Sequence, residues 1–351
     1  MVEIGDRIKL QRQAHQLSLQ DLANLMTADG FPVTRATLSN YETNKIIPSE
    51  IALEALAREL GTTVEFLTKK NPMEISLCFF SDMELILKRF NELCSFLQVN
   101  PEKMFEIDQL LGVSNSWKKP KKLIIQKGKE DEIEDLAEEI RALWKLDDYP
   151  VASVSGVLEK NGWSLIWIPN KLCENSLVGV ESISGKPFLG YQTPQSVVDM
   201  RMQLLKAVGT SYFSGENLEH TEKLARRFAR TILFPRSQVL IEYGYSREHI
   251  FSSELTILKQ KYGLGKFEIM HRLHDLGVIS NTLFNTYISS ARLYGYPSGR
   301  DILTETVSFH EVPVAYQMKV MSAYEKGLIS AEQLKSHRLL LETYTFESQV
   351  Q

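Results

Sequence analysis

Apolar residues recur at helical spacing along most of the chain, and polar or turn-forming breaks separate the periodic stretches. Ile4, Ile8, Leu10, Leu17 and Leu19 mark a first amphipathic helix and its exit. Ser18 is a good N-cap for a second helix running to about Met26, and Asp21 suits the positive end of that helix's dipole. Ala28-Asp29-Gly30-Phe31-Pro32 is turn chemistry. Thr34 caps a third helix through Glu42, which Thr43-Asn44-Lys45 ends. Pro48-Ser49 opens a fourth from Glu50 to Leu60, and Gly61 to Leu67 closes the unit.

Asn71-Pro72 breaks the pattern. Leu85, Ile86, Leu87, Phe90, Leu93, Phe96 and Leu97 then define an amphipathic helix over Met83 to Leu97, and Met104 to Leu111 offers a short one. Six lysines between Ser114 and Lys129 read as a solvated linker. Glu130 to Trp144 is a helix with an acidic first turn, and another runs through Val157-Leu158-Glu159. Alternation predicts a strand over Trp163 to Ile168. Val178 to Val180 and Pro187 to Tyr191 predict two more, with Ser184-Gly185-Lys186 as the turn between them. Helices follow from Val197, Leu218, Leu255 and Ile269. Tyr296-Pro297-Ser298-Gly299 is a break. Pro313 to Lys326 is a helix with proline in its first turn and Gly327 at its end. Ser330-Ala331-Glu332-Gln333 has the form of a capping box and opens a last helix to about Leu341.

The 351 residues suffice for two or three domains, here mainly α with one small sheet. No apolar run approaches the roughly 20 residues that span a membrane, and the N-terminus lacks the apolar core of a signal peptide. Cys78, Cys94 and Cys173 show no metal-binding spacing and fit a reducing cytosol, so a cytoplasmic protein without cofactors is expected. The net charge of −4 gives no global sign of nucleic-acid binding, which must come from a local patch.

Such a patch is suggested at the N-terminus. The Leu22-Ala23 pair, the run Leu38-x-x-Tyr41-Glu42-x-x-Lys45-x-x-Pro48 and the helix Leu56-Ala57-x-x-Leu60-Gly61 resemble, in order and spacing, the Cro/repressor-type (XRE) helix-turn-helix family. The longer turn from Thr27 to Val33 departs from its pattern. In such a unit the third helix lies in the major groove. Leu38 and Tyr41 are expected to point inward, with Ala36 or a neighbour, and Arg35, Thr37, Ser39, Asn40 and Asn44 outward. Arginine and asparagine suit bidentate contacts to guanine and adenine, which makes Arg35 and Asn40 the candidate base readers. Thr34, Ser39, Thr43, Asn44 and Lys45 suit phosphates. Acidic and basic side chains are nearly balanced over the first 70 residues, so one head alone would bind modestly and a homodimer on two half-sites is expected.

A second resemblance lies between Val197 and Pro235. Glu222-x-x-Ala225-x-x-Phe228-Ala229, running on to Leu233-Phe234-Pro235, resembles the second signature helix of the ImmA/IrrE family of zinc peptidases. That family's preceding helix carries H-E-x-x-H, in which two histidines bind zinc and the glutamate activates water. The matching register here is Lys206-Ala207-Val208-Gly209-Thr210. A lysine ammonium repels a metal ion and an alanine accepts no proton, so the resemblance implies a peptidase fold without peptidase chemistry. Glu222 stands at the third ligand position, where Lys206 could pair with it in the metal's place. The resemblance spans about Glu130 to Asn281. His271 and His274, three apart, read as a surface or capping pair.

The expected organisation is a helix-turn-helix bundle over 1–70, a helical linker over 71–129, an inactive peptidase-like α+β domain over 130–285, and a helical C-terminal extension over 286–351 that docks on its own core or, as favoured, on a second subunit. The function expected is a sequence-specific regulator binding a double-stranded operator. Its expected role is repressor of a mobile-element, phage-like or toxin–antitoxin operon, released by a protein partner such as a toxin, by a small ligand, or by another peptidase. The alternative is an atypical metallopeptidase using His220 and Glu222.

Overall fold

The computed structural model of the chain describes residues 4–15, 17–62, 64–68, 103–113, 121–168, 178–181, 187–191, 196–293, 311–335 and 337. The helix expected over Met83 to Leu97, the three cysteines, the Ser184-Gly185-Lys186 turn and the Tyr296–Gly299 break lie outside them. The described chain is mainly helical, and none of its helices is long and apolar enough to cross a membrane.

The first unit has five helices: α1 (Ile4–Ala14), α2 (Leu19–Ala28), α3 (Arg35–Glu42), α4 (Glu50–Glu59) and α5 (Val64–Thr68). Their apolar stripes close over Ile8, Leu22, Met26, Leu38, Leu56, Leu60 and Leu67. Ser18 and Asp21 form a reciprocal capping box, the Ser18 Oγ accepting the Asp21 N–H at 3.1 Å and the Asp21 carboxylate accepting the Ser18 N–H at 2.9 Å. The inward side of α3 differs from expectation. Ala36 is exposed and Tyr41 only half-buried, while the charged Glu42 is buried. Arg12 makes that burial tolerable: its Nε and Nη2 donate to the two Glu42 oxygens at 2.5 and 2.9 Å. A fork-on-carboxylate pair satisfies both groups at once.

The larger unit begins earlier than the composition suggested. Leu123–Ile124, within the lysine-rich stretch read as linker, is a short strand β1 followed by a fully buried Ile125. Next come α7 (Glu132–Leu143), α8 (Val154–Lys160), β2 (Ser164–Trp167), β3 (Val178–Glu181) and β4 (Pro187–Tyr191). The three later strands form a sheet of order β2-β4-β3, with β2 parallel and β3 antiparallel to β4. Two long helices follow, α9 (Val197–Tyr212) and α10 (Leu218–Leu233), separated by β5 (Phe213–Ser214), which pairs in parallel with β1. Helices α11 (Arg236–Tyr243), α12 (Ser252–Tyr262), α13 (Lys266–Asp275) and α14 (Asn281–Leu293) complete it. Helices α9 and α10 pack closely at Gly209, where a Cβ would lie 2.9 Å from the Phe228 ring and 3.0 Å from that of Phe213.

One buried charge joins three of these helices. Glu134 on α7 is fully buried and accepts from Arg272 Nη1 on α13 at 2.6 Å, and from Arg227 Nε and Thr231 Oγ1 on α10 at 3.2 and 3.1 Å. Arg272, also fully buried, donates its Nε to the Phe234 carbonyl at 2.8 Å. Burial alone would raise the Glu134 pKa, but the two guanidiniums outweigh it and hold the carboxyl below its usual range.

The C-terminal helices dock within the chain. A helix over 103–110, α6, packs through Ile107 against Val320 and Ala323 of α15 (Ala315–Glu325) and Ile329 beyond it. Lys319 reaches Asp108 at 2.7 Å. The expected capping box is present, Ser330 and Gln333 exchanging bonds of 2.8 and 3.1 Å. One apolar side of this hairpin is therefore covered by α6 of the same chain. The charge of Lys103 of α6, itself almost fully buried, acts on both His15, just past α1, and His337. His15 Nε2 pairs with the Leu60 carbonyl at 2.9 Å, and His337 Nδ1 with the Tyr316 hydroxyl at 2.6 Å. Burial, reinforced by the Lys103 charge, pushes both imidazoles down to about 4.

Two outcomes follow from these buried charges. Glu134→Gln, which leaves Arg272 and Arg227 without their carboxylate, costs about 3–5 kcal/mol of stability; a denaturant midpoint within error of wild type would contradict the clamp. The second outcome concerns acid. His15 and His337 have folded-state pKa values near 4 against the unfolded 6.5, so the unfolded chain binds more protons between those limits. Stability is therefore whole above pH 6.5 and falls as pH drops toward 4. A thermal midpoint that is flat across that window would contradict their burial.

Candidate nucleic-acid interface and the Lys206–Glu222 pair

Thr34 sets the start of α3, its Oγ1 accepting the Thr37 N–H at 3.1 Å and meeting the Thr37 hydroxyl at 2.9 Å. Arg35 is exposed, and Thr37, Ser39 and Asn40 are half-buried along the same short helix. Lys45 is exposed just past its end. Arg35 thus offers a free guanidinium at the first turn, with Asn40 one and a half turns on. Asn44 is half-buried, as Thr37, Ser39 and Asn40 are.

Asn44 also carries a structural bond. Its backbone is left-handed, with φ 55°, and its Oδ1 accepts the Gly5 N–H at 2.7 Å. The side chain read as a phosphate contact thus ties the end of α3 to the start of α1. Gly5 is required there, since a Cβ on it would lie 2.1 Å from the Tyr41 carbonyl oxygen. Gln20 and Asn24, bonded to each other at 3.0 Å on the exposed side of α2, were not singled out from the sequence. Isolated polar residues on an amphipathic helix give no signal that separates them from any solvated face.

In the larger unit, α9 and α10 bring Lys206 and Glu222 together. Lys206 Nζ donates to Glu222 Oε1 at 3.3 Å, and Arg226 Nη2 reaches the same oxygen at 3.3 Å. Burial, and then the neighbouring Arg226 cation, lower the Lys206 pKa despite the carboxylates of Glu222 and Glu268. Ala207 is fully buried, and Thr210, also buried, donates its hydroxyl to the Ala207 carbonyl at 2.7 Å. These positions carry a helix-to-helix ion pair and a packed apolar neighbour.

Three further histidines have structural partners. His220 is buried at the start of α10, its Nδ1 accepting the Glu216 N–H at 3.3 Å and its Nε2 lying 3.7 Å from Glu130. His271 and His274 bracket the Phe284 ring, His274 stacked at 4.4 Å and His271 edge-on at 4.8 Å. Among the described residues no three His, Cys, Asp or Glu side chains group as metal ligands.

Residues 8–67 match the helix-turn-helix family model. No curated protein and no solved structure matches the chain. The match covers most of the five-helix unit and includes α3 entire. It supports a DNA-binding transcription regulator.

Asn44→Ala separates the two roles that residue could have. The variant loses the acceptor for the Gly5 N–H and keeps a strained backbone, so it destabilises the unit by about 1–3 kcal/mol. The salt dependence of DNA binding stays as in wild type. A flatter salt slope with unchanged stability would make Asn44 a phosphate contact after all.

Proposed function

We propose that the protein is a sequence-specific transcriptional repressor of a mobile-element, phage-like or toxin–antitoxin operon. It acts as a dimer, and its larger unit is an inactive peptidase-like body that senses or docks a partner. The observation that carries the reading is the matched helix-turn-helix with an accessible Arg35 at the first turn of α3. A near-balanced head gives each copy modest affinity, which supports pairing two heads on two half-sites. The Lys206–Glu222 pair supports the second half of the proposal. A cation tethered to the carboxylate occupies the register where a zinc peptidase would hold its metal, and Ala207 stands where its general base would be. Release from DNA then comes from a protein partner, a small ligand or another peptidase, and not from self-cleavage.

A footprint of the full chain on the DNA upstream of its own gene tests the first half. A protected, roughly symmetric site is expected, and its half-site spacing reports the dimer. Arg35→Ala and Asn40→Ala each weaken that site by about 1–3 kcal/mol and relax its sequence preference. Protection that scrambled competitor removes as readily as specific competitor would reduce the activity to general DNA affinity.

Rebuilding the lost ligands tests the second half. Lys206→His with Thr210→His places two imidazoles at i and i+4 on the face that meets Glu222. The folded double variant is expected to retain one zinc ion through gel filtration, and wild type none. A folded variant that keeps no zinc would remove the support for a peptidase-like origin of this helix pair.

A further inference from the structure

Helix α15 is apolar on two sides. On the inner side Val320 and Ala323 are fully buried against Ile107 of α6, and Lys319 is held by Asp108 at 2.7 Å. The outer side carries Met318, Met321 and Tyr324, all exposed, Met318 to 66 %. Exposed Val314 stands just before this stripe and exposed Leu328 just after it. The start of the helix is fixed, because the Glu159 carboxylate of α8 accepts the Ala315 and Val314 N–H groups at 3.1 and 3.4 Å. A helix that is apolar all round is ordinarily buried all round. Val314, Met318, Met321 and Glu325 follow one another at steps of four, three and four residues, the period of a seam between two helices.

The outer side is complementary to itself. Its one charge is Glu325, and Gln317 is the polar residue at the same distance from Met321 in the other direction. In a parallel pair the two Glu325 carboxylates would stand side by side in an apolar seam, where like charges repel. In an antiparallel pair crossing at Met321 they lie about 12 Å apart along the helix. Each is then level with Gln317 of the second copy, a neutral amide that can donate to it. Met321 meets Met321 at the crossing, with Met318 and Tyr324 flanking it, and methionine adapts its shape to such a contact.

We infer that the outer side of α15 is the seam on which a second copy of this chain docks, antiparallel and two-fold about Met321. The inference deepens the proposed dimer and rests on it for the need to pair two heads. A two-fold contact is the same patch on both copies, so one stripe serves both. The seam is short, about 16 Å of helix, and it buries less than the about 800 Å² per partner of a standard stable interface. Half-association is therefore expected on the order of 10 µM chain. On an operator, two neighbouring half-sites hold two heads at a high effective concentration, which makes so weak a seam sufficient.

Sedimentation velocity of the full chain without DNA, from about 0.5 to 200 µM, tests the seam. Wild type is expected to pass reversibly from monomer to dimer, and Met321→Glu to stay monomeric with an unchanged thermal midpoint. Met318→Glu, at the most exposed position of the stripe, gives the same reading if the first variant does not fold. Wild type that remains monomeric at the highest concentration overturns the inference, whatever the variants do. A dimer that survives both substitutions overturns it too, since the copies then meet elsewhere. Geometry is read by cross-linking in a chain whose Cys78, Cys94 and Cys173 are serine. Under copper–phenanthroline, Met321→Cys is expected to bond to its own copy, and Glu325→Cys, about 12 Å from its copy, to form no bond. Bonding at both positions means parallel helices and overturns the antiparallel seam. Because no DNA is present, a dimer that later protects no operator leaves the seam standing and counts against the DNA-binding reading alone.

Discussion

The larger unit depends on a carboxylate that has no access to water. Glu134 comes from α7, Arg227 from α10 and Arg272 from α13, 138 residues along the chain from Glu134. Two charges taken from water cost several kcal/mol each, and their attraction repays this only with good geometry and further hydrogen bonds. Here Thr231 and the Phe234 carbonyl supply those bonds. Such a pair need not add stability over an apolar core, but it tolerates few alternative packings. Any shift of α13 against α7 would strand a buried charge.

The same chemistry at lower burial gives a different element. Lys206 and Glu222 also bridge two helices, but the Glu222 side chain keeps about a third of its exposure and shares its oxygen with Arg226. Water and a second cation are at hand, so Glu222 is not stranded if Lys206 is removed. The pair can be replaced without unfolding the helices, which is why substitutions there can report on ligand chemistry and not on the fold. Close packing at Gly209 fixes the two helices independently of it.

The head and the larger unit meet different demands. The head is held by a small apolar core and by polar ties at its edges: Arg12 on Glu42, Asn44 on Gly5, His15 on Leu60. Those ties leave Arg35 and Lys45 exposed for a polyanionic partner. The hairpin of α15 has one side on α6 and its start clamped to α8. Its burial uses electrostatics at one end and apolar packing at the other.

Local chemistry was legible in the sequence because it acts over a few residues. Ser18 with Asp21 and Ser330 with Gln333 formed the caps their spacing implied, and the alternation near Trp163 and Pro187 gave strands. The helix-turn-helix was readable from the order of Leu38, Tyr41, Glu42 and Pro48, and the resemblance across the second pair of helices implied that Lys206 could pair with Glu222. What only the tertiary structure decided was the fate of polar groups. Glu134 looked like an ordinary first-turn acid, and Glu311 lay in a stretch with no pattern. Asn44 gave no sign of its bond to Gly5, and Leu123–Ile124 was hidden in a lysine-rich run. Each is fixed by a partner far along the chain, and a carboxylate or amide carries no sign in its own neighbourhood of whether water or a distant guanidinium will satisfy it. Apolar periodicity states which side of a helix is buried, but the donor that meets a buried acceptor is known only once the helices have packed.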